Sequence, residues 1–126
     1  LTNLGRIDMN DTHLAIGCYP GGSSFKVIEL STLSSPTYQT VPGKDCPSEV
    51  SFNDKGFFIP DNDNIIGWNS VADALAGSSP TMSFGGRTDK SNMGTKMAAG
   101  IGWDGYHFWV GEYKFSNRLL GFAPSK

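Results

Sequence analysis

The side chains best suited to chemistry form a run of four residues, Asp61-Asn62-Asp63-Asn64. Two carboxylates and two amide carbonyls in one loop supply the oxygen ligands that a hard cation such as calcium prefers. The run lacks the wider oxygen spacing, the turn glycine and the distal glutamate of the common calcium loop. An Asx-rich turn that satisfies its own backbone explains the same residues. We therefore keep Asp61 and Asp63 as candidate ligand-binding residues, with calcium as an alternative to the prediction that no cofactor and no metal is bound.

The second candidate for covalent chemistry is the pair of cysteines, Cys18 and Cys46. In the strand pattern described below, one strand ends at Cys18 and another begins near Cys46, at the same rim of the fold. A disulfide can form there if the two Cα atoms come within about 7 Å. The bridge would close a loop of about 28 residues and contribute roughly 3 to 4 kcal/mol. We favour this disulfide over the alternative of two free thiols.

A glycosylation sequon, Asn10-Asp11-Thr12, marks Asn10 as a candidate modification site. A sequon is used only when the chain passes through a eukaryotic secretory route. Charged residues make up 17% of the chain. This low charge content and the predicted disulfide favour an extracellular or cell-surface location.

Aromatic side chains provide the last candidate site. Tyr113 and Phe115 lie in one predicted loop and could form a platform for a sugar or a protein partner. Ordinary packing between neighbouring units is the alternative for these two residues. Trp103 and Trp109 fall on predicted inner strands, so we expect both of them in the core.

Composition limits the class of protein that could carry these sites. The chain has 126 residues, with 10 Lys and Arg against 12 Asp and Glu, so its net charge is −2. This length suits about one domain, and the charge balance excludes a basic nucleic-acid-binding surface. No apolar run approaches the roughly 20 residues that a membrane-spanning helix needs. Helical periodicity is confined to residues 70–76, which predicts an all-β protein with one short helix.

An internal repeat organises the predicted strands. Each copy has an apolar strand, a tight turn of Asn, Asp or Gly, and a second apolar strand, and the copies span residues 7–17, 50–60 and 101–111. Asn, Asp and Gly suit hairpin turns because they tolerate positive φ. A third apolar strand follows each hairpin, and weaker fourth strands follow at residues 38–41 and 81–84.

The spacing of the repeat predicts a β-propeller. Equivalent positions are separated by about 43 and about 51 residues, close to the 40 to 50 residues of a propeller blade. We therefore expect a single propeller segment of three four-stranded blades in an incomplete ring, with blades at approximately 1–43, 44–89 and 90–126. An immunoglobulin-like sandwich is the rival architecture, because strand number alone does not exclude it.

A resemblance to a known family rests on residues 111–122, GEYKFSNRLLGF. An acidic residue, Glu112, a short loop, then Asn117 and Arg118 before aliphatic residues resemble the strand-loop-strand signature of NHL-type propeller repeats. Residues 59–69 are similar, although Ile65 stands where that repeat has its arginine, and the first repeat departs furthest. The resemblance implies that Glu112 and Arg118 clamp one blade, with a catalytic role for Glu112 as the alternative.

The expected function follows from the number of blades. Known propeller rings use roughly 4 to 8 blades, so three blades must either join further blades of a longer protein or pair with a second copy, giving six blades. We predict a non-enzymatic binding or assembly module of NHL-like type whose partner is itself, with a protein or carbohydrate ligand as a further partner. One alternative is part of a six-bladed lyase or hydrolase, with a rim metal between Asp61 and Glu112. The other is an extracellular carbohydrate-binding module that uses Tyr113 and Phe115.

Overall fold

Antiparallel strands dominate the fold, which is all-β as predicted. The computed structural model describes residues 4–18, 26–44, 47, 49–61, 64–85, 98–112 and 119–124. Within these residues, the strands are β1 Leu4–Met9, β2 His13–Cys18, β3 Lys26–Glu29, β4 Tyr38–Gln39, β5 Ser51–Asn53, β6 Gly56–Asp61, β7 Asn64–Trp68, β8 Met82–Gly85, β9 Ala98–Trp103, β10 Phe108–Glu112 and β11 Leu119–Pro124. A 3-10 turn spans Leu30–Thr32 and the helix α1 spans Val71–Leu75.

The three predicted hairpins are present as β1–β2, β5–β6 and β9–β10. A side-chain oxygen caps the turn of each. Asn10 Oδ1 accepts from the backbone N–H of His13 at 2.7 Å, and Asn53 Oδ1 accepts from that of Lys55 at 2.8 Å. In the third turn, Asp104 Oδ1 accepts from the backbone N–H of His107 at 2.6 Å. The Asx residues therefore act as local turn formers at equivalent places in the repeat.

The strands form two sheets rather than three separate blades. The first sheet has the order β1-β2-β3-β4, which matches the first predicted blade. The second has seven strands in the order β5-β6-β7-β8-β11-β10-β9, because β8 pairs with β11 through Phe84 opposite Pro124 and Gly85 opposite Ala123. This pairing joins what we expected to be the second and third blades.

The seven-stranded sheet curls into a nearly closed, barrel-like shape. Its two edge strands, β5 and β9, contact each other. The indole Nε1 of Trp103, the last residue of β9, donates a hydrogen bond to Asp54 Oδ1 in the β5–β6 turn at 3.0 Å. The curl brings the first strands of the second and third repeats side by side.

Two apolar clusters lie on opposite sides of strand β6. Phe57 and Ile59 belong to a cluster that includes Ala15 and Val27 of the four-stranded sheet. Phe58 points the other way, into a cluster with Phe108 and other residues of β7, β8, β10 and β11. Strand β6 is thus covered on both faces, which explains why its sequence does not alternate between apolar and polar residues.

The helix α1 forms at the predicted place. Ser70 is its N-cap, and its Oγ accepts from the backbone N–H of Asp73 at 3.1 Å. Val71 and Ala74 are buried in the first cluster beside Trp68. No helix in the described part of the chain is long and apolar enough to cross a membrane.

Two glycines with positive φ provide a matched test of the packing around β6. Gly56 has a φ of 146° and Gly43 a φ of 68°. A Cβ added at Gly56 would collide with the Trp68 carbonyl oxygen, whereas one at Gly43 would meet no atom within 4 Å. We expect Gly43→Ala to cost about 1 kcal/mol from backbone strain alone, and Gly56→Ala to cost at least about 2 kcal/mol more because backbone must also move. Urea denaturation of both variants measures the difference, and equal losses would contradict the packing described for Gly56.

Candidate functional site

The four-stranded sheet carries a continuous apolar face on the side away from both clusters. Residues directly opposed in an antiparallel pair share a face of the sheet. Ile7 is opposite Ile16, Met9 is opposite Leu14, and Ile28 is opposite both Leu14 and Tyr38. We call this surface the first outer face: it consists of Ile7, Met9, Leu14, Ile16, Ile28 and Tyr38.

The first outer face is partly open to solvent. Ile7 and Met9 are each 57% exposed and Tyr38 is 46% exposed. None of its six residues belongs to, or packs against, the two core clusters described above. The opposite face of the same sheet, with Ala15 and Val27, is fully buried. The sheet is therefore apolar on both faces, although only one face packs against another described layer.

A second outward face, on β9, β10 and β11, is almost free of side chains. Trp109 is opposite Gly102 on β9 and Gly121 on β11, while Gly111 is opposite Gly100 and Leu119. We call this surface the glycine face: it consists of Gly100, Gly102, Trp109, Gly111, Leu119 and Gly121. A Cβ would meet no atom within 4 Å at Gly100, Gly102 or Gly111, so this face is a flat surface around one indole ring.

The position of Trp109 corrects our expectation for the two tryptophans. Trp103 packs against the second cluster, as expected of a core residue. Trp109 instead points outward and is 40% exposed. Its ring lies close to Gly121, where a Cβ would come within 3.1 Å of the ring. The glycine opposite Trp109 thus leaves room for the indole against the sheet.

Asp104 fixes the indole in this position. Its Oδ2 accepts from Trp109 Nε1 at 2.8 Å and lies 3.3 Å from His107 Nδ1, while its Oδ1 accepts from the backbone N–H groups of Tyr106 and His107. These hydrogen bonds, with the His107 backbone contributing most, hold the pKa of the Asp104 carboxyl well below its usual range. The carboxylate is therefore charged, and serves as a fixed acceptor beside the glycine face.

A cleft of about 310 Å³ lies where β1, the segment before β5 and β9 approach one another. Its lining includes Ile7, Val50 and Ile101, which occupy equivalent positions in the three repeats. Asp8 Oδ2 accepts from the backbone N–H of Phe52 at 2.7 Å and so joins β1 to β5. The cleft is thus a product of the repeat, and it brings the first strands of all three copies together.

Glu49 is the titratable group of this cleft that sequence reasoning missed. Its side chain is 4% exposed, and Oε1 lies 3.4 Å from Nε of Arg6, whose side chain is 64% exposed. Burial raises the pKa of Glu49 to about 7, and Arg6 opposes that rise through its charge and its hydrogen bond. No motif surrounds Glu49 in the sequence, and its only signal is its place one residue before Val50, an equivalent position of the repeat.

Asp61 lies at the end of β6, where it forms an ion pair rather than an open ligand. Lys44 Nζ donates to Asp61 Oδ2 at 2.9 Å. Among the residues that the structure describes, no group of three or more His, Cys, Asp or Glu side chains comes together as a metal site would require. The predicted calcium loop and the rim metal between Asp61 and Glu112 stay predictions.

The remaining predicted site residues are only partly covered by the description. Asp63, Tyr113, Phe115 and Cys46 lie outside the described residues. Glu112 ends β10 and Cys18 ends β2, and their backbones pair within the sheets. The disulfide, the aromatic platform and the NHL-type clamp therefore stay predictions. Asn10 is exposed in the β1–β2 turn, where its Oδ1 also accepts from Thr12 Oγ1 of the sequon at 3.1 Å; use of the sequon stays a prediction as well.

Comparison with known proteins gives no family to which these surfaces can be assigned. No protein-family model, curated protein or solved structure matches this chain.

Proposed function

We propose that this chain is a non-enzymatic binding and assembly module, built as an NHL-like, propeller-type stack of three units and completed by a second copy of itself. The single observation that carries the proposal is the first outer face. Ile7, Met9 and Tyr38 are about half exposed there, next to Leu14, Ile16 and Ile28. A continuous apolar face of this kind is typical of an interaction surface.

The free energy available from covering this face supports association. Full burial of an aliphatic side chain contributes roughly 1.5 to 3 kcal/mol, in proportion to the apolar area removed from water. Ile7 and Met9 have more than half of their surface still to bury. Covering each of them fully should therefore contribute roughly 1 kcal/mol or more, before the entropic cost of bringing two molecules together.

The order of the layers also supports the proposal. The middle layer, β5–β7, is covered on both sides, by the four-stranded sheet through the first cluster and by β8, β10 and β11 through the second. Each outer layer is covered on one side only. In a propeller every unit has two neighbours, so the outer layers are the places where another unit would pack.

We expect the protein to have the mass of two chains in solution and to lose that association when a charge is placed on the first outer face. Met9→Lys puts an ammonium among apolar side chains that a partner must desolvate. Leu33→Lys makes the same kind of change at a residue that is 55% exposed and outside this face, so it should leave the mass unchanged. Size-exclusion chromatography with light scattering measures both.

A wild-type protein with the mass of one chain at every soluble concentration would contradict self-assembly. A Met9→Lys variant with the wild-type mass would show that the association uses another surface. Circular dichroism of each variant separates loss of association from loss of folding.

A further inference from the structure

We propose that two copies associate head to tail, with the glycine face of each copy covering the first outer face of the other. This inference rests on the proposed self-assembly and names the surface that the second copy supplies. It commits to a closed pair of chains joined by two identical interfaces. The argument comes from the direction in which the three repeats stack within one chain.

The second strand of each hairpin points one set of side chains toward the following repeat. Aligning the hairpin turns makes Ala15, Phe58 and Trp109 equivalent. Ala15 lies in the first cluster, facing the second repeat. Phe58 lies in the second cluster, facing the third repeat, with its ring 4.8 Å from that of Phe108 between centroids. By the same direction, Trp109 faces the place where a fourth repeat would pack.

The alternate positions of the same strands face the preceding repeat. In the second repeat, Phe57 and Ile59 pack into the first cluster, against the four-stranded sheet. In the third repeat, the equivalent Phe108 and Val110 pack into the second cluster, against β6 and β7. The equivalent side chains of the first repeat belong to the first outer face, and they are Leu14 and Ile16.

The two unmatched faces are therefore complementary in direction. Inside the chain, the face that holds Ala15 or Phe58 always packs on the face that holds the next repeat's pair at alternate positions. The glycine face is of the first kind and the first outer face is of the second kind. Packing the glycine face of one copy on the first outer face of another repeats the contact that the chain already makes twice.

The shapes of the two faces match as well. The first outer face presents long side chains, with Ile7 and Met9 each 57% exposed. The glycine face offers open space at Gly100, Gly102 and Gly111 to receive them, beside the indole of Trp109. A surface with projecting side chains packs closely on a sheet whose backbone is bare.

The area of the contact favours a closed pair over a single contact. Three to four strands spaced about 4.8 Å apart and up to about six residues long present roughly 300 Å² of flat face. One contact would then bury roughly 600 Å² over both partners, below the size of a stable interface, whereas two contacts bury roughly 1,200 Å² and reach it. Each chain carries one face of each kind, so two chains related by a two-fold axis can make both contacts.

Complementation between two variants tests the head-to-tail arrangement. Met9→Lys blocks the first outer face, and Gly102→Lys blocks the glycine face at a position where a new side chain meets no atom within 4 Å. We expect each variant alone to have the mass of one chain. Mixed at high concentration, they should form a pair that contains one of each, because the mixture retains one intact contact, and at least about tenfold weaker than the wild-type pair, since the second contact is lost. Native mass spectrometry identifies the pair, because the two variants differ in mass.

Each outcome is informative. A Gly102→Lys variant that keeps the wild-type pair, while Met9→Lys does not, would overturn the head-to-tail arrangement and leave self-assembly standing. A mixture without mixed pairs would overturn it too. A wild-type protein that is a single chain would instead overturn the proposed function. Gly111→Lys, also in open space, repeats the test at a second position and must give the same result as Gly102→Lys.

Discussion

Phe58→Ala is expected to lower the free energy of unfolding by about 3 to 5 kcal/mol, the usual range for removing a fully buried phenylalanine. Phe58 is 0% exposed, and its ring packs against Phe84 and Phe108, with centroid separations of 5.8 and 4.8 Å. It links β6 to β8 and β10, on the inside of the curled seven-stranded sheet. Removing the ring leaves a cavity that Gly67, its cross-strand neighbour, has no side chain to fill.

The matched control is Leu33→Ala, which removes an apolar side chain that is 55% exposed. We expect it to change the free energy of unfolding by less than about 0.5 kcal/mol. Urea denaturation at one fixed protein concentration measures both variants, because the stability of a self-associating protein depends on concentration. A loss below about 1 kcal/mol for Phe58→Ala would mean that β6 does not pack against β8 and β10 as described.

The hairpins and the helix could be predicted because their signals are local. The Asn10, Asn53 and Asp104 turns are encoded by side chains that bond to backbone groups within three residues. The helix cap at Ser70 works over the same distance. Local hydrogen bonds of this kind require no knowledge of the rest of the fold.

The pairing of β8 with β11 could not be predicted in this way. It joins Phe84 to Pro124 and Gly85 to Ala123, residues almost 40 positions apart, with no turn sequence between them that would fix a register. A repeat in the sequence indicates which strands are equivalent. It does not indicate whether neighbouring units remain separate sheets or merge along an edge, because backbone groups that pair between strands are the same in every residue.

The direction of Trp109 was missed for a different reason. Strands with apolar residues on both faces show no alternation that identifies the core side. Phe108, Trp109 and Val110 follow one another in β10, and only the middle one points outward. The available signal was the glycines opposite Trp109 in the register of the strands, Gly102 and Gly121, which become visible as a set only once the strands are paired.

Glu49 illustrates the limit of motif-based reasoning for candidate sites. An isolated glutamate carries no spacing that suggests a function, and its burial arises from three strands that are far apart in the sequence. Arg6 reaches it from β1, while Gly100 and Ile101 line the same cleft from β9. A buried carboxyl in a cleft is recognised from its surroundings, which only the fold supplies.

Stability should decrease as pH rises from about 4.5 to about 7, because folding raises the pKa of Glu49 from 4.5 to about 7. Below this window the carboxyl is protonated in both the folded and unfolded states. Within it the unfolded state loses the proton first, so the folded state binds more protons and becomes less stable with rising pH. Above it both states are ionised, and the folded state bears the full cost of a buried charge, roughly 3 kcal/mol.

Glu49→Gln should remove this loss, because a neutral amide occupies the site at every pH and its oxygen can still accept a hydrogen bond from Arg6. We expect the variant to exceed the wild type in free energy of unfolding by roughly 2 to 3 kcal/mol at about pH 8, and to match it at about pH 4. Glu29→Gln is the control, since Glu29 is exposed on β3 and its substitution should leave the wild-type pH dependence unchanged. Urea denaturation across this pH range measures all three proteins. A Glu49→Gln variant that keeps the wild-type slope between about pH 4.5 and 7 would mean that Glu49 is not the buried group at the junction of β1, β5 and β9.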